Sequence, residues 1–260
     1  MPFLSGSKLT RLLPAVMVAV CAATWWNPAS GFADDPPQIE SASVPDFTFV
    51  RLIYSGGNWR GSGWDTDYPK ADIQLLYALR KLTDFSFINE DHKALTLFTD
   101  EIYQYPFLYA VEVGYMDLGR EEADRLREYL LRGGFLLVDD FHGDYEWQRF
   151  YTQLKKVFPE YEPEDLPLDH PVFHCYFDIR ETFQVPGIQF LYTGRTWEKG
   201  GRIARYMGVH DESGRLMVAI IFNSDFGDAW EWAEVEAYPR RYANMAFQLT
   251  VNYIVYAMTH

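Results

Sequence analysis

The sequence predicts an α/β fold, a three-layer sandwich in which an open, mostly parallel sheet lies between helices. Three observations point there. Strand-like and helix-like segments alternate over residues 47–158. The run FLLV (135–138) is apolar without a break, as in a strand buried on both faces. The segments on either side of it, 120–132 and 146–158, are amphipathic at helical spacing.

Taken in order, FTFVRLIY (47–54) is β-branched and aromatic and reads as the first strand. A glycine-rich loop, SGGNWRGSGWDTDYP, follows. Pro69 stands where a first helical turn tolerates proline, and ADIQLLYALRKL carries apolar residues at 73, 76, 79 and 82. ALTLF (94–98) and FLYAVEVG (107–114) read as strands. REEADRLREYLLR (120–132) opens with acids and closes with arginine, which suits the helix dipole, and Gly133 supplies a stop. FLLVD is expected to be the central strand, over 134–139. EWQRFYTQLKKVF (146–158) is a further helix, halted by Pro159. Residues 159–187 form a long proline-rich excursion. IQFLYT (188–193) reads as a strand, RIARYMGVH and RLMVAIIF as a hairpin around DESG, and residues from about Arg240 to Met258 as a final helix. Right-handed crossovers would place helices on both faces of the sheet. The domain is thus expected to span 46–260 as one unit with a C-terminal hairpin and helix.

The N-terminus reads differently. Lys8 and Arg11 precede LLPAVMVAVCAATWW, and small residues at Gly31 and Ala33 follow. This is the layout of a secretory signal over residues 1–33, cut after Ala33. The alternative, an uncleaved anchor, has against it Pro14 and an apolar stretch shorter than the ~20 residues of a spanning helix. Val20 before Cys21 disfavours a lipoprotein cut. Residues 34–45, DDPPQIESASVP, are expected to form an extended arm. The mature chain would be exported, periplasmic or in the cell envelope, with no membrane span.

Loss of Lys8 and Arg11 would leave 21 basic against 37 acidic residues. So acidic a chain argues against nucleic acid and anionic lipid as partners. It leaves small polar ligands, cations and other envelope proteins. With Cys21 removed, Cys175 is a lone thiol, and no intramolecular disulfide closes the fold.

In parallel sheets ligands bind beyond the carboxyl ends of the strands. VDDFHG places Asp139, Asp140 and His142 there, as candidates for acid–base catalysis, with Asp140 and His142 also candidate ligands for a divalent cation. Alternation along the strand sends one aspartate toward any cleft, and the other is free to cap a helix or accept from loop amides. Two more loops should reach the same edge. One carries Asn58, Trp59, Arg60, Trp64, Asp65 and Asp67; the other carries Asn223, Asp225, Asp228, Trp230 and Trp232. Trp64, Asp65, Asp67, Asp225, Asp228 and Trp230 are expected to hold a hydroxyl-rich ligand, with Arg195 as an anion clamp. His170 and His174, four apart, have the spacing of a zinc pair, although Pro171 between them interrupts a regular helix. No cofactor is evident: there is no phosphate loop, dinucleotide fingerprint or G-x-S-x-G elbow.

FTFVRLIYSGG, WDTDYP, YPFLYAVEVGYMDL, LREYLLRGGFLLVDDFHGDYEW, DHPVFH, VPGIQFL, GRTWE, GRLMVAIIFNSDFGDAWEWA and NYIVYAMTH together resemble the bacterial family of domain of unknown function 4159. The resemblance runs from about Phe47 to His260. It implies a flavodoxin-like, class I glutamine amidotransferase-like fold, shared with trehalose-utilisation-type proteins, and association with cell-envelope proteins related to aerotolerance regulators. Amidotransferases carry a cysteine nucleophile on the turn after a buried strand. Here that turn reads Asp139-Asp140-Phe141-His142, so glutaminase activity is not expected. Two functions remain: an envelope protein binding a small polar ligand or a partner, and a hydrolase-like enzyme using Asp139 or Asp140 with His142.

Overall fold

The computed structural model describes residues 47–57, 61, 63–85 and 88–260. The signal and arm expected over 1–45, and Asn58, Trp59 and Arg60, lie outside the described residues. The strands β1 (Val50–Ile53), β2 (Lys93–Thr96), β3 (Phe107–Val111), β4 (Phe135–Phe141), β5 (Glu164–Asp165), β6 (Arg205–His210) and β7 (Leu216–Phe222) form one sheet. Their order is β2-β1-β3-β4-β7-β6-β5. The first five in that order run parallel, and β6 and β5 close the edge antiparallel.

The expected central strand is the fourth of the seven, paired in parallel with β3 and β7. Its apolar run has no polar face because both faces are covered. Phe135 and Leu137 join Phe107, Tyr109 and Ile221 in one core, against α1 (Lys70–Leu82) and the long C-terminal helix described below. Leu136 and Val138 join Val50, Leu52, Ala110 and Ile220 in the other, against α2 (Arg120–Leu131) and α3 (Gly143–Val157). The chain is therefore an α/β sandwich with a mostly parallel sheet.

Two expectations about elements need revision. IQFLYT is not a strand: α4 (Phe190–Thr193) is one short helical turn closed by Gly194 at φ +66°. Its apolar residues serve packing and not a ladder. The Phe190 ring meets Tyr242, 5.5 Å away and nearly edge-on, and Tyr192 faces solvent. The central strand also runs on through Asp140 to Phe141, with a shift of register against β7 after Val138 and Asp140 at φ 52°. The remaining helices are α5 (Phe226–Glu231), directly after β7, and α6 (Arg240–Thr259). No described helix is long and apolar enough to cross a membrane.

Between β1 and β3 the strand order reverses, since the chain leaves β1 toward β2 and returns on the other side. Loops beyond the carboxyl ends diverge at such a point and leave a crevice. The segments after β1, β3, β4 and β7 all end there.

Candidate functional site

Arg51, in the middle of β1, organises the first of these segments. It is wholly buried, and so is its partner, Asp72 in the first turn of α1. Nε lies 3.1 Å from both carboxylate oxygens and one terminal nitrogen lies 2.5 Å from Oδ1. The other terminal nitrogen donates to the carbonyls of Trp64 (3.1 Å) and Thr66 (2.8 Å). The guanidinium fork thus fixes the loop that delivers Asp67. Nothing in FTFVRLIY except a charge inside an apolar strand announces this role.

The two aspartates of VDDFHG have separate tasks. Asp139 faces α5: its carboxylate accepts the Phe226 amide (2.9 Å), the Gly227 amide (2.9 Å) and the Tyr109 hydroxyl (2.9 Å). Burial raises its pKa to about 6, and those donors hold it from going further. Its oxygens are spoken for, which makes Asp139 a tie between β4 and α5 and removes it from the catalytic candidates. Asp140 faces the crevice. Its Oδ1 lies 3.1 Å from His142 Nε2, and burial, with the charges of Asp139, Glu198 and Asp228, holds its carboxyl well above the usual range despite Lys199.

Asp140 meets residues from both other loops. Oxygens of Asp67, Asp140 and Asp225 lie within 4.8 Å of one another, and a second group, Asp67, Asp228 and Glu231, is as close. Asp225 caps α5 by accepting the Asp228 amide at 2.8 Å. Asp228 accepts the Ile188 amide (2.6 Å) and the Trp232 indole (3.0 Å). Asp67 Oδ2 is shut off from solvent and meets no donor. Burial and then neighbouring carboxylates hold both Asp67 and Asp225 well above the usual range. Glycine makes this crowding feasible: a Cβ at Gly187 would lie 2.5 Å from Asp225 Oδ2, and one at Gly227 would lie 2.5 Å from Asp67 Oδ2.

On the other side of Asp140 lies a group that the sequence did not single out. Glu112, directly after β3, is pushed up to about 9, chiefly by burial and then by Asp140. Glu146, in the first turn of α3, accepts the His142 amide at 2.7 Å and pairs with Lys199 at 2.7 Å. Lys199 also reaches Glu112 at 3.5 Å. Burial works against the ammonium, but Glu112, Asp140 and Glu146 outweigh it and keep Lys199 charged. His142 is buried, its Nδ1 has no partner, and burial lowers its pKa.

Backbone strain marks the same place. Among the described residues the non-glycine positions with positive φ are Asp67, Glu112, Asp140, Lys199 and Asn223. Asn223 accepts the Gly143 amide at 2.9 Å and so holds the β4–α3 turn. Non-glycine residues in this region cost about 1–3 kcal/mol each and gather where function fixes them.

Several expected ligand contacts are elsewhere. Trp230 is fully buried among Phe49, Tyr109 and Phe226, so it is core and not a ligand platform. Arg195 is exposed and stacks over Trp197, and among the described residues it makes no ion pair with the clustered carboxylates. Asp65 is exposed. Trp64 is half-buried beside Tyr68 at 5.8 Å. His170 and His174 do not share a site: His174 bonds to Asp178 at 2.7 Å, whereas His170 Nε2 meets His210 Nε2 at 3.3 Å. Cys175 is half-buried with its thiol on the Asn252 carbonyl, and burial pushes it up to about 11.

The fold and site define an α/β sandwich whose carboxyl-end loops bring buried, mutually repelling carboxylates together around one strained strand-to-helix turn. Residues 48–258 match the family described as Domain of unknown function (DUF4159), and the chain belongs to it. No curated protein matches it.

Proposed function

We propose that this is an exported envelope protein that binds a small, neutral, hydroxyl-rich ligand, carbohydrate-like in chemistry, in the crevice around Asp140. The observation that carries this reading is the convergence of Asp67, Asp140 and Asp225 from three separate segments, with no lysine or arginine ion-paired to them among the described residues. Burial holds all three carboxyls above the usual range, so they accept hydrogen bonds when ionised and offer an O–H when protonated, which suits ligand hydroxyls that both donate and accept. The acidic surroundings, and the chain's formal charge of −14, disfavour an anion. The parallel part of the sheet, in the order β2-β1-β3-β4-β7, supports a flavodoxin-like reading, in which ligands sit at the reversal between the first and third strands. The same order accommodates the class I glutamine amidotransferase-like fold that the sequence resembles. The turn has no cysteine, and the Cys175 thiol lies elsewhere with a raised pKa, so glutaminase chemistry is not part of the proposal. Export rests on the signal-like residues 1–33.

A hydrolase-like reading has one observation of its own. Asp140 stands at positive φ on a strand-to-helix turn, the strained place where α/β hydrolases hold a nucleophile, beside His142 and a Glu112 carboxyl pushed up to about 9. A carboxylate facing a protonated acid is the minimum equipment for acid–base work.

A thermal-shift screen of neutral mono- and disaccharides and polyols, with product analysis of each mixture, tests both readings. A ligand at 100 times its Kd adds about 2.7 kcal/mol, or several degrees at about 2–4 °C per kcal/mol. The expected result is a shift for a hydroxyl-rich compound that Asp140→Asn abolishes. A shift with turnover would favour the hydrolase. Shifts that survive Asp140→Asn, or none across the panel, would overturn the binding proposal.

A further inference from the structure

We infer that Asp67, Asp140 and Asp225 form a divalent-cation site of calcium type, with Asp228 and Glu231 adjoining it through Asp67. This deepens the ligand-binding reading and rests on it. The cation would neutralise the floor of the crevice and present open coordination positions to ligand hydroxyls.

Burying carboxylates without compensation is costly, and proteins offset it with paired cations, donors or metals. Among the described residues the nearby lysine and arginine are already engaged. Arg51 serves Asp72 and two carbonyls, and Lys199 serves Glu146 and Glu112. Among the described residues no lysine or arginine forms an ion pair with Asp67, Asp140 or Asp225.

Donors are also short. Asp139, one residue away, accepts two amides and a hydroxyl, whereas Asp67 Oδ2 is fully enclosed and accepts nothing. That enclosed, unpartnered oxygen is an observation separate from the clustering itself. The loop holds it in place although Asp67 sits at φ 61° and Asp140 at φ 52°. Gly227, against Asp67 Oδ2, and Gly187, against Asp225 and Asp228, leave the oxygens room where a methyl would clash.

The donor set selects the ion. The ligands on offer are carboxylate oxygens, which suit hard cations and not zinc or copper. His142, the adjacent nitrogen donor, has its Nε2 on Asp140 and belongs to neither carboxylate group. Calcium ligands at about 2.3–2.6 Å lie up to ~5 Å apart across the ion, so oxygens within 4.8 Å of one another are close enough to share one. Magnesium, which demands near-ideal octahedral geometry and usually keeps several waters, suits a site built of protein carboxylates less well.

Calorimetric titration of calcium, magnesium and manganese into chelator-treated full-length protein tests this, with thermal melts alongside. Calcium should bind and raise the melting temperature. Asp67→Asn and Asp225→Asn should weaken binding by at least about tenfold and remove the shift. Gly227→Ala, which leaves the charges intact but crowds Asp67 Oδ2, should weaken binding too and serves if an Asn variant fails to fold. Exposed Asp124→Asn should bind as the unaltered chain does. The inference is overturned if none of the three ions binds, or if binding persists unchanged in Asp67→Asn, Asp225→Asn and Gly227→Ala. Repeating the carbohydrate screen in excess chelator separates the two claims. A ligand bound through Asp140 in chelator, with no ion bound in the titration, would sink the cation site and leave the binding reading standing. Calcium bound with no carbohydrate response would do the reverse.

Discussion

Two groups of buried charge flank the loop 63–67, and they are built on opposite principles. Arg51 and Asp72 form a closed unit: the pair is wholly buried, and every nitrogen of the guanidinium meets an acceptor. Asp67, Asp140 and Asp225 form an open one, in which like charges face each other and an enclosed oxygen goes unmatched. The first arrangement holds a loop in place. The second stores repulsion that a folded protein has reason to keep only if something else relieves it. Compensation, and not burial, separates scaffold from site.

Substitutions should therefore divide along this line. The largest effect is expected at the closed unit: Asp72→Ala strands a buried guanidinium and should destabilise the fold by about 3–5 kcal/mol, measured by urea unfolding. Next comes Asp139, whose removal orphans the Phe226 and Gly227 amides. Asp139→Ala should cost about 1–3 kcal/mol and loosen α5. Asp140→Asn should cost less than Asp139→Ala, or even stabilise the ligand-free protein, because it removes a repelling charge while Asn can still meet His142. If Asp140→Asn proved the more damaging of the two neighbours, the assignment of their roles would be reversed.

How much of this was legible beforehand depended on whether local pattern or distant packing decided the outcome. The central strand could be read because an unbroken apolar run with amphipathic neighbours fits few other places. The split between Asp139 and Asp140 was also legible as a split, since strand alternation demands it. Which aspartate took which task was not, because a shift of register and a positive φ at Asp140 set it. Arg51 was opaque because its partner is 21 residues away on another element. Trp230 and Trp64 look alike in sequence, both beside acids in polar loops. Only the seating of α5 on Phe49 and Tyr109 makes Trp230 core. Residues 188–193 have strand composition, but docking against Tyr242 of α6 decided for a helical turn. Glu112, Glu146 and Lys199 each had an ordinary local explanation, and only the sheet brings them together.

The most direct test of the uncompensated cluster is the melting temperature of the chelator-treated, ligand-free protein from pH 5 to pH 9. A carboxyl raised in the folded state contributes stability that is complete below its ordinary pKa and lost as the pH climbs through the raised one. For Glu112 that window runs from 4.5 to about 9, and Asp67, Asp140 and Asp225 are raised in the same direction. His142, His170 and His210 are lowered, so their contribution is present above 6.5 and lost toward acid, which places the optimum in the mildly acidic range. The melting temperature should fall steadily from that optimum to pH 9, and Asp67→Asn or Asp140→Asn should flatten the fall. A melting temperature that holds level or rises over the same range, with the variants no different, would contradict an uncompensated cluster.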